Sequence, residues 1–314
     1  LNSALGISDS TPLILPAGSS LISAISAEDD SGMPNLTDAA ILTVLSTAPP
    51  AGSFRPPYAG TDKTIRYNES QLNYTLLARR DPVTDTPGLS VVEELFERPW
   101  IDHFEGYGGE DTHPSNNMEH YGRDLARDVS IGALMLHLNF SDQEKRTLLI
   151  RYIQLGIDNF GIVQSGGRTT WTGQGGHNQG RKWPILFAGL ILNDTNMQNI
   201  GQKSGDYLYT YNYPEYGPGN EPPDYIHFEE DDQSFYVTQE DVDRTNSTLW
   251  NPDSRNVGTG PDDPADNAER YAADDIGMPE WGIEHALVPY GDNRHWGAIY
   301  RFGSGSVWGG FILA

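Results

Sequence analysis

The feature that most constrains this chain is the stretch Gly175-Gly176-His177-Asn178-Gln179-Gly180-Arg181-Lys182-Trp183, which runs straight into Pro184-Ile185-Leu186-Phe187-Ala188-Gly189-Leu190-Ile191-Leu192. A polar, glycine-rich loop is here joined to a segment apolar on nearly every face, so the second half predicts a buried helix with Pro184 in its first turn. The loop can approach a ligand or a neighbouring element closely, because its glycines accept positive φ. His177, Asn178, Arg181 and Lys182 place a titratable base, an amide and two cations within six residues. Asn193 and Asp194 end the helix.

Two further helices precede this one. The first is expected from about Asn117 to Leu138. On a wheel of 100° per residue Asn117, Tyr121, Asp124 and Asp128 fall within about 60°, and the stripe continues as Ile131 and Met135, wet at one end and dry at the other. An inner helix of a toroid, its first turns lining a cleft and its last turns packed in the base, carries this pattern. So does a surface helix with ordinary acidic start signals. Ser141-Asp142-Gln143-Glu144 is a capping box opening a second helix to about Gly161. The short link at Asn139-Phe140 makes the two an αα-hairpin. Long helices joined by alternately short and polar loops read as a mainly α chain: one domain over 1–314, an (α/α) toroid or incomplete helical barrel with long irregular loops and a few short strands.

The flanking segments are less regular. Residues 1–35 read as loop with short strand or helix. Thr37-Asp38 is expected to cap a helix from Ala39 to Ala48, stopped by Pro49-Pro50, and the Pro-rich segment Phe54 to Tyr58 to form a rigid strap. Short helices are expected at Gln71 to Arg80 and Leu89 to Arg98, and another opening at Glu280 to Leu287. Residues 205–280 hold nineteen acids against Arg244, Arg255 and Arg270, a net −16 of the chain's −24. With its many tyrosines this segment reads as an acidic, aromatic-rich insertion or lid, containing one strand with Tyr207, Tyr209, Tyr211 and Tyr213 on a face.

Composition removes whole classes of function. With no cysteine there is no disulfide framework, thiolate metal site or cysteine nucleophile. A net charge of −24 argues against nucleic acid as partner. The apolar runs fall far short of the ~18 residues of a membrane span. Leu1 is no start methionine, so the expectation is an exported chain, extracellular or periplasmic, with its signal peptide removed, or else a fragment. The apolar end Phe311 to Ala314 is expected of a chain cut inside a helix or strand. Asp241, Asp243, Asp262, Asp263 and Asp266 could hold structural calcium, but without EF-hand spacing a solvated acidic loop is the better reading, and no cofactor is required.

The chemistry then narrows. Gly175 to Lys182 approximates a phosphate loop but has Arg181 and Lys182 where Lys and Ser or Thr are needed. Neither a serine-hydrolase elbow nor a zincin helix occurs. Residues 143–192 carry six cations against Glu144 and Asp158, a local +4 in an acidic chain, which points to an anionic ligand. Pairing of these cations with neighbouring acids is the plainer alternative.

Asn116 and Asn117 followed by Tyr121, and then His177 and Arg181, resemble in kind and order the parts of the (α/α)-toroid polysaccharide lyases that cleave uronate polymers such as alginate and glucuronan. One departure is that Met118, not His, follows Asn117, and the nearest histidine is His120. The resemblance implies β-elimination on an anionic polysaccharide. That chemistry needs the sugar carboxylate neutralised, for which Asn117 and Arg181 are candidates, a base for the C5 proton, His177, and an acid for the departing oxygen, Tyr121 or a lid residue such as Tyr236. Asn116, His120, Asn178 and Lys182 are candidate substrate contacts. Trp171 and Trp183 could stack on sugar faces or pack the loop. Two other readings stay open. A glycoside hydrolase would pair Asp124 or Asp128 with Glu280 or Glu284, and a carbohydrate-binding protein would need no catalytic set.

Overall fold

The computed structural model describes residues 6–26, 36–101, 122–165, 171, 178–201, 228–232, 234–246, 271–281 and 305–314. In chain order its elements are β1 (Ser20–Ser26), β2 (Leu36–Thr43), α1 (Leu89–Leu95), α2 (Gly122–Leu136), α3 (Asp142–Gln164), α4 (Lys182–Leu192), α5 (Thr195–Gln198), α6 (Glu229–Asp232), β3 (Ser234–Tyr236), α7 (Gln239–Thr245), β4 (Pro279–Trp281) and α8 (Gly309–Leu313). The described chain is thus mainly helical, with β1–β2 and β3–β4 as short antiparallel pairs.

The core forms around α3. Its start is the expected capping box: the Ser141 hydroxyl accepts from the Glu144 amide, and the Glu144 carboxylate accepts from the Ser141 amide. Tyr152, fully buried at its centre, stacks at an angle against Phe96 of the α1 end and edge-on against Phe187 of α4, while its hydroxyl donates to the Val129 carbonyl of α2 at 2.9 Å. One side chain therefore joins three helices, with its single polar atom satisfied.

Helices α3 and α4 run antiparallel, Asn159 meeting Arg181, Gly156 meeting Pro184 and Ala188, and Tyr152 meeting Phe187. A Cβ on Gly156 would lie 2.2 Å from the Pro184 carbonyl oxygen, so glycine is what lets the two backbones close. The residues linking α2 to α3 lie beside the chain that follows the strap, where Arg80 and Asn139 exchange backbone bonds with His137 and Arg80 at 2.9 and 2.7 Å.

Several expectations are corrected. Residues 39–48 are not a helix. Leu36–Thr43 pairs as β2 with β1, and Asp38 does not cap a turn: its carboxylate accepts from the adjacent Ala39 amide and pairs with Arg98 at 2.8 Å. The deciding pattern is the alternation that buries Ala39 and packs Ile41 against Ile101. Residues 71–80 also fail to make a continuous helix and form only single 3-10 turns at Glu69–Gln71 and Tyr74–Leu76. There the Asn68 and Asn73 side chains cap each turn locally, and the Asn73 amide is taken by the Ile191 carbonyl at 3.0 Å. Glu280 and Trp281 lie in strand β4, not at a helix start, because their backbone pairs with β3; residues 282–287 are outside the described set. The expected helix at Leu89 to Arg98 ends at Leu95.

Candidate functional site

The described part of the glycine-rich loop is Asn178 to Arg181, leading into α4. Gly180 has φ of 91°, and a Cβ there would come 2.9 Å from the Cα and N of Ala126. The loop is therefore seated directly on α2, near its first turns, and only glycine combines that φ with that approach. Asn159 of α3 completes the seat by donating to the Arg181 carbonyl at 3.3 Å, and Trp308 donates its ring N–H to the Gln179 side chain at 2.7 Å.

The start of α4 is organised from a distance. Its N-cap position, Arg181, supplies no side-chain cap. Instead Glu230 of α6 accepts from the Gly180 amide at 2.7 Å and the Lys182 amide at 3.4 Å, and Glu229 accepts from the Asn178 amide. Both glutamates are buried. A carboxylate at a helix N-terminus answers the orphan amides and the positive end of the dipole. Here that anion comes from the chain itself, out of the acidic segment read as a lid. Glu229 and Glu230 thus bring two buried carboxylates onto the loop backbone.

The predicted residues divide sharply. Arg181 is 1% exposed, and its Nη1 donates to the Gln179 carbonyl at 2.7 Å, so its guanidinium shapes the loop from inside. Asn178 is also buried. Lys182 is half-buried with its ammonium 5.9 Å from the centre of the Phe228 ring, within cation–π reach. Trp171 is 1% exposed and stacked on Phe228, which gives it the packing role of the two considered. Trp183 is half-buried between Phe187 and Phe311. Tyr236, on β3, is 69% exposed. Asn116, Asn117, His120, Tyr121 and His177 lie outside the described residues.

On α2 the acidic stripe is largely covered. Arg127 donates to Asp124 and to Asp128 at 3.2 Å each, and Asp128 is buried. Burial pushes the Asp128 carboxyl above its ordinary range, against the pull of Arg127, with Asp124 adding to the rise. Farther along, Ile131 is half-buried and Met135 fully so, which continues the stripe into the core. No group of three or more His, Asp or Glu side chains that could hold a metal is present among the described residues. Of the calcium candidates, Asp243 accepts from Gln239 at 2.9 Å, and Asp262, Asp263 and Asp266 lie outside the described set.

Glu229 and Glu230 are not legible from the sequence as site residues. In a segment of net −16 an acidic run reads as solvated, and the one local signal, Phe228 immediately before them, is shared with many surface turns. No described helix is long and apolar enough to cross a membrane. Comparison with protein-family models, with curated proteins and with solved structures gives no match.

Proposed function

We propose that the chain is an exported polysaccharide lyase of (α/α)-toroid architecture that cleaves a uronate polymer by β-elimination. The observation that carries this reading is the seat of Gly180 on Ala126. It sets the loop against the helix whose N-terminal side leads back, within a few residues of chain, to Tyr121 and Asn117, as His177 lies three residues before Gly180. In this reading Asn117 neutralises the sugar carboxylate, His177 removes the C5 proton and Tyr121 protonates the leaving oxygen. Arg181 holds the loop in shape, its burial keeping it from direct contact, and Lys182 is the loop cation nearer the surface. Helices α2 and α4 would be inner helices of the toroid and α3 an outer one.

The test is an assay of uronate polymers for the near-ultraviolet absorbance of an unsaturated product. Wild type is expected to generate it, and His177→Ala and Tyr121→Phe to lose it with unchanged melting temperature. New reducing ends without that absorbance would transfer the assignment to a hydrolase. One observation favours that second reading: Asp128 combines burial with a raised pKa, the condition of a general acid. Asp128→Asn then separates the two, abolishing hydrolysis but leaving β-elimination in place.

A further inference from the structure

A cavity of about 910 Å³ opens away from the loop site, between the segment 54–67 that includes the strap, the C-terminal half of α3 and the start of α5. Its volume is in the range of small-molecule sites, ~300–1,000 Å³. Ile157 and Phe160 of α3 are part of its lining, and Asn159, between them, holds the Arg181 carbonyl. At about 100° per residue these positions look in different directions. The same two turns of α3 thus carry the loop on one side and this groove on the other.

The strap wall is fixed in advance. A Cβ on Gly161 would lie 2.0 Å from the Cβ of Pro57, so the strap rests on the bare backbone of α3. Arg55 makes a bidentate pair with the buried Asp158, and the Lys63 ammonium is ringed by the carbonyls of Pro57, Tyr58, Ala59 and Gly60 at 2.7 to 3.0 Å. A wall this constrained binds without ordering itself first.

The charge of the lining is balanced. Its cations are Arg55 and Arg66 and its carboxylates Asp62 and Asp194. Arg66 pairs with Asp62, and Asp194 accepts the Tyr67 hydroxyl at 2.8 Å. With Arg55 committed to Asp158 and Arg66 to Asp62, the described lining of the groove has no uncommitted cation to draw an anion. What it offers instead is apolar ring surface at Phe160 and Tyr67 beside the exposed amides and hydroxyl of Gln164, Asn196 and Thr195. Alternating flat apolar faces and hydroxyl-bonding edges are the two surfaces of a neutral sugar.

We infer that the groove between the segment 54–67, α3 and α5 binds a neutral oligosaccharide, independently of the loop site. The inference rests on this lining and does not require the lyase reading. The test is calorimetric titration of the whole chain with cellohexaose and mannohexaose, and with a hexauronate. At least one neutral hexasaccharide is expected to bind saturably, and any binding of the hexauronate is expected to be unchanged by the groove substitutions. Gln164→Ala/Asn196→Ala removes two exposed hydrogen-bonding groups and is expected to weaken that binding about tenfold or more, at roughly three- to tenfold for each lost bond. Thr195→Trp fills the groove and is expected to abolish it. His177→Ala is expected to leave it unchanged, which separates this site from the catalytic one. Absence of saturable binding by both neutral sugars, loss of hexauronate binding in the groove variants, or equal affinity in the wild type and both groove variants at unchanged melting temperature overturns the inference.

Discussion

At the scale of single residues, His137 is a titrating group with a defined direction. Its Nδ1 accepts the Ala78 amide at 2.9 Å, so that nitrogen must stay unprotonated. Burial, helped by the nearby Lys145 charge, lowers its pKa below the ordinary 6.5. The unfolded chain therefore takes up a proton before the folded one does, and this contribution to stability is lost as pH falls through about 6.5 toward the folded value. Asp128 and Asp158 act the other way, since burial raises both, and their penalty eases on acidification through the carboxylate range. Urea midpoints for wild type are expected to drop between about pH 8 and pH 5.5, and His137→Asn, whose amide oxygen stands where Nδ1 does and can take the same bond, is expected to flatten that drop. A slope that survives the substitution would assign the acid sensitivity to another group. Gly180 is the second decisive residue. Gly180→Ala meets both a positive φ and the Ala126 backbone, and is expected to cost about 1–3 kcal/mol, read as a lower melting temperature.

At the scale of elements, the ends and contacts of α3 contrast usefully. Ser141→Ala removes both hydroxyl bonds to Glu144, the capping one included, at an exposed terminus and is expected to cost about 1 kcal/mol. Gly156→Ala drives a methyl into the Pro184 carbonyl and the Ala188 methyl, and rigid backbone on one side leaves little room to relax; the expected cost is larger, about 3 kcal/mol or more. Chemical denaturation of the two variants side by side measures the difference, and equal losses would mean that α3 and α4 slide apart easily. These helices are legible in the sequence because their signals are local: a capping box, an amphipathic stripe, a proline in a first turn. Strand β2 is not, because Thr37-Asp38 is also a sound cap signal, and only its distant partner β1 decides between the two. The same division holds at the candidate site. The glycine-rich loop announces itself, but the carboxylates that cap α4 come from about 50 residues downstream, and no spacing rule links Gly180 to Glu230.

At the scale of the whole molecule, self-repulsion competes with surface ion pairing. A net charge of −24, with −16 of it in residues 205–280, disfavours any compact state. Exposed ion pairs such as Arg66–Asp62, Arg79–Asp142 and Arg98–Asp38 oppose it, but such pairs contribute only about 0–1 kcal/mol each. Salt weakens both effects, so its net sign reports which is larger. Raising ionic strength from about 0.01 M to 0.15 M shortens the screening length from roughly 30 Å to 8 Å, removing long-range repulsion while contact pairs keep most of their local geometry. The melting temperature is therefore expected to rise with sodium chloride, by about 2–6 °C over that range. Glu229 and Glu230 sharpen the prediction. Buried on the α4 amides, they turn part of the excess charge into a structural tie, and being buried they are screened far less than the surface acids. Glu230→Gln lowers the net charge yet loses the charged cap, so it is expected to melt below wild type at every salt concentration, with the same salt slope. A variant that melts higher would show that bulk repulsion, not the cap on α4, governs this part of the fold.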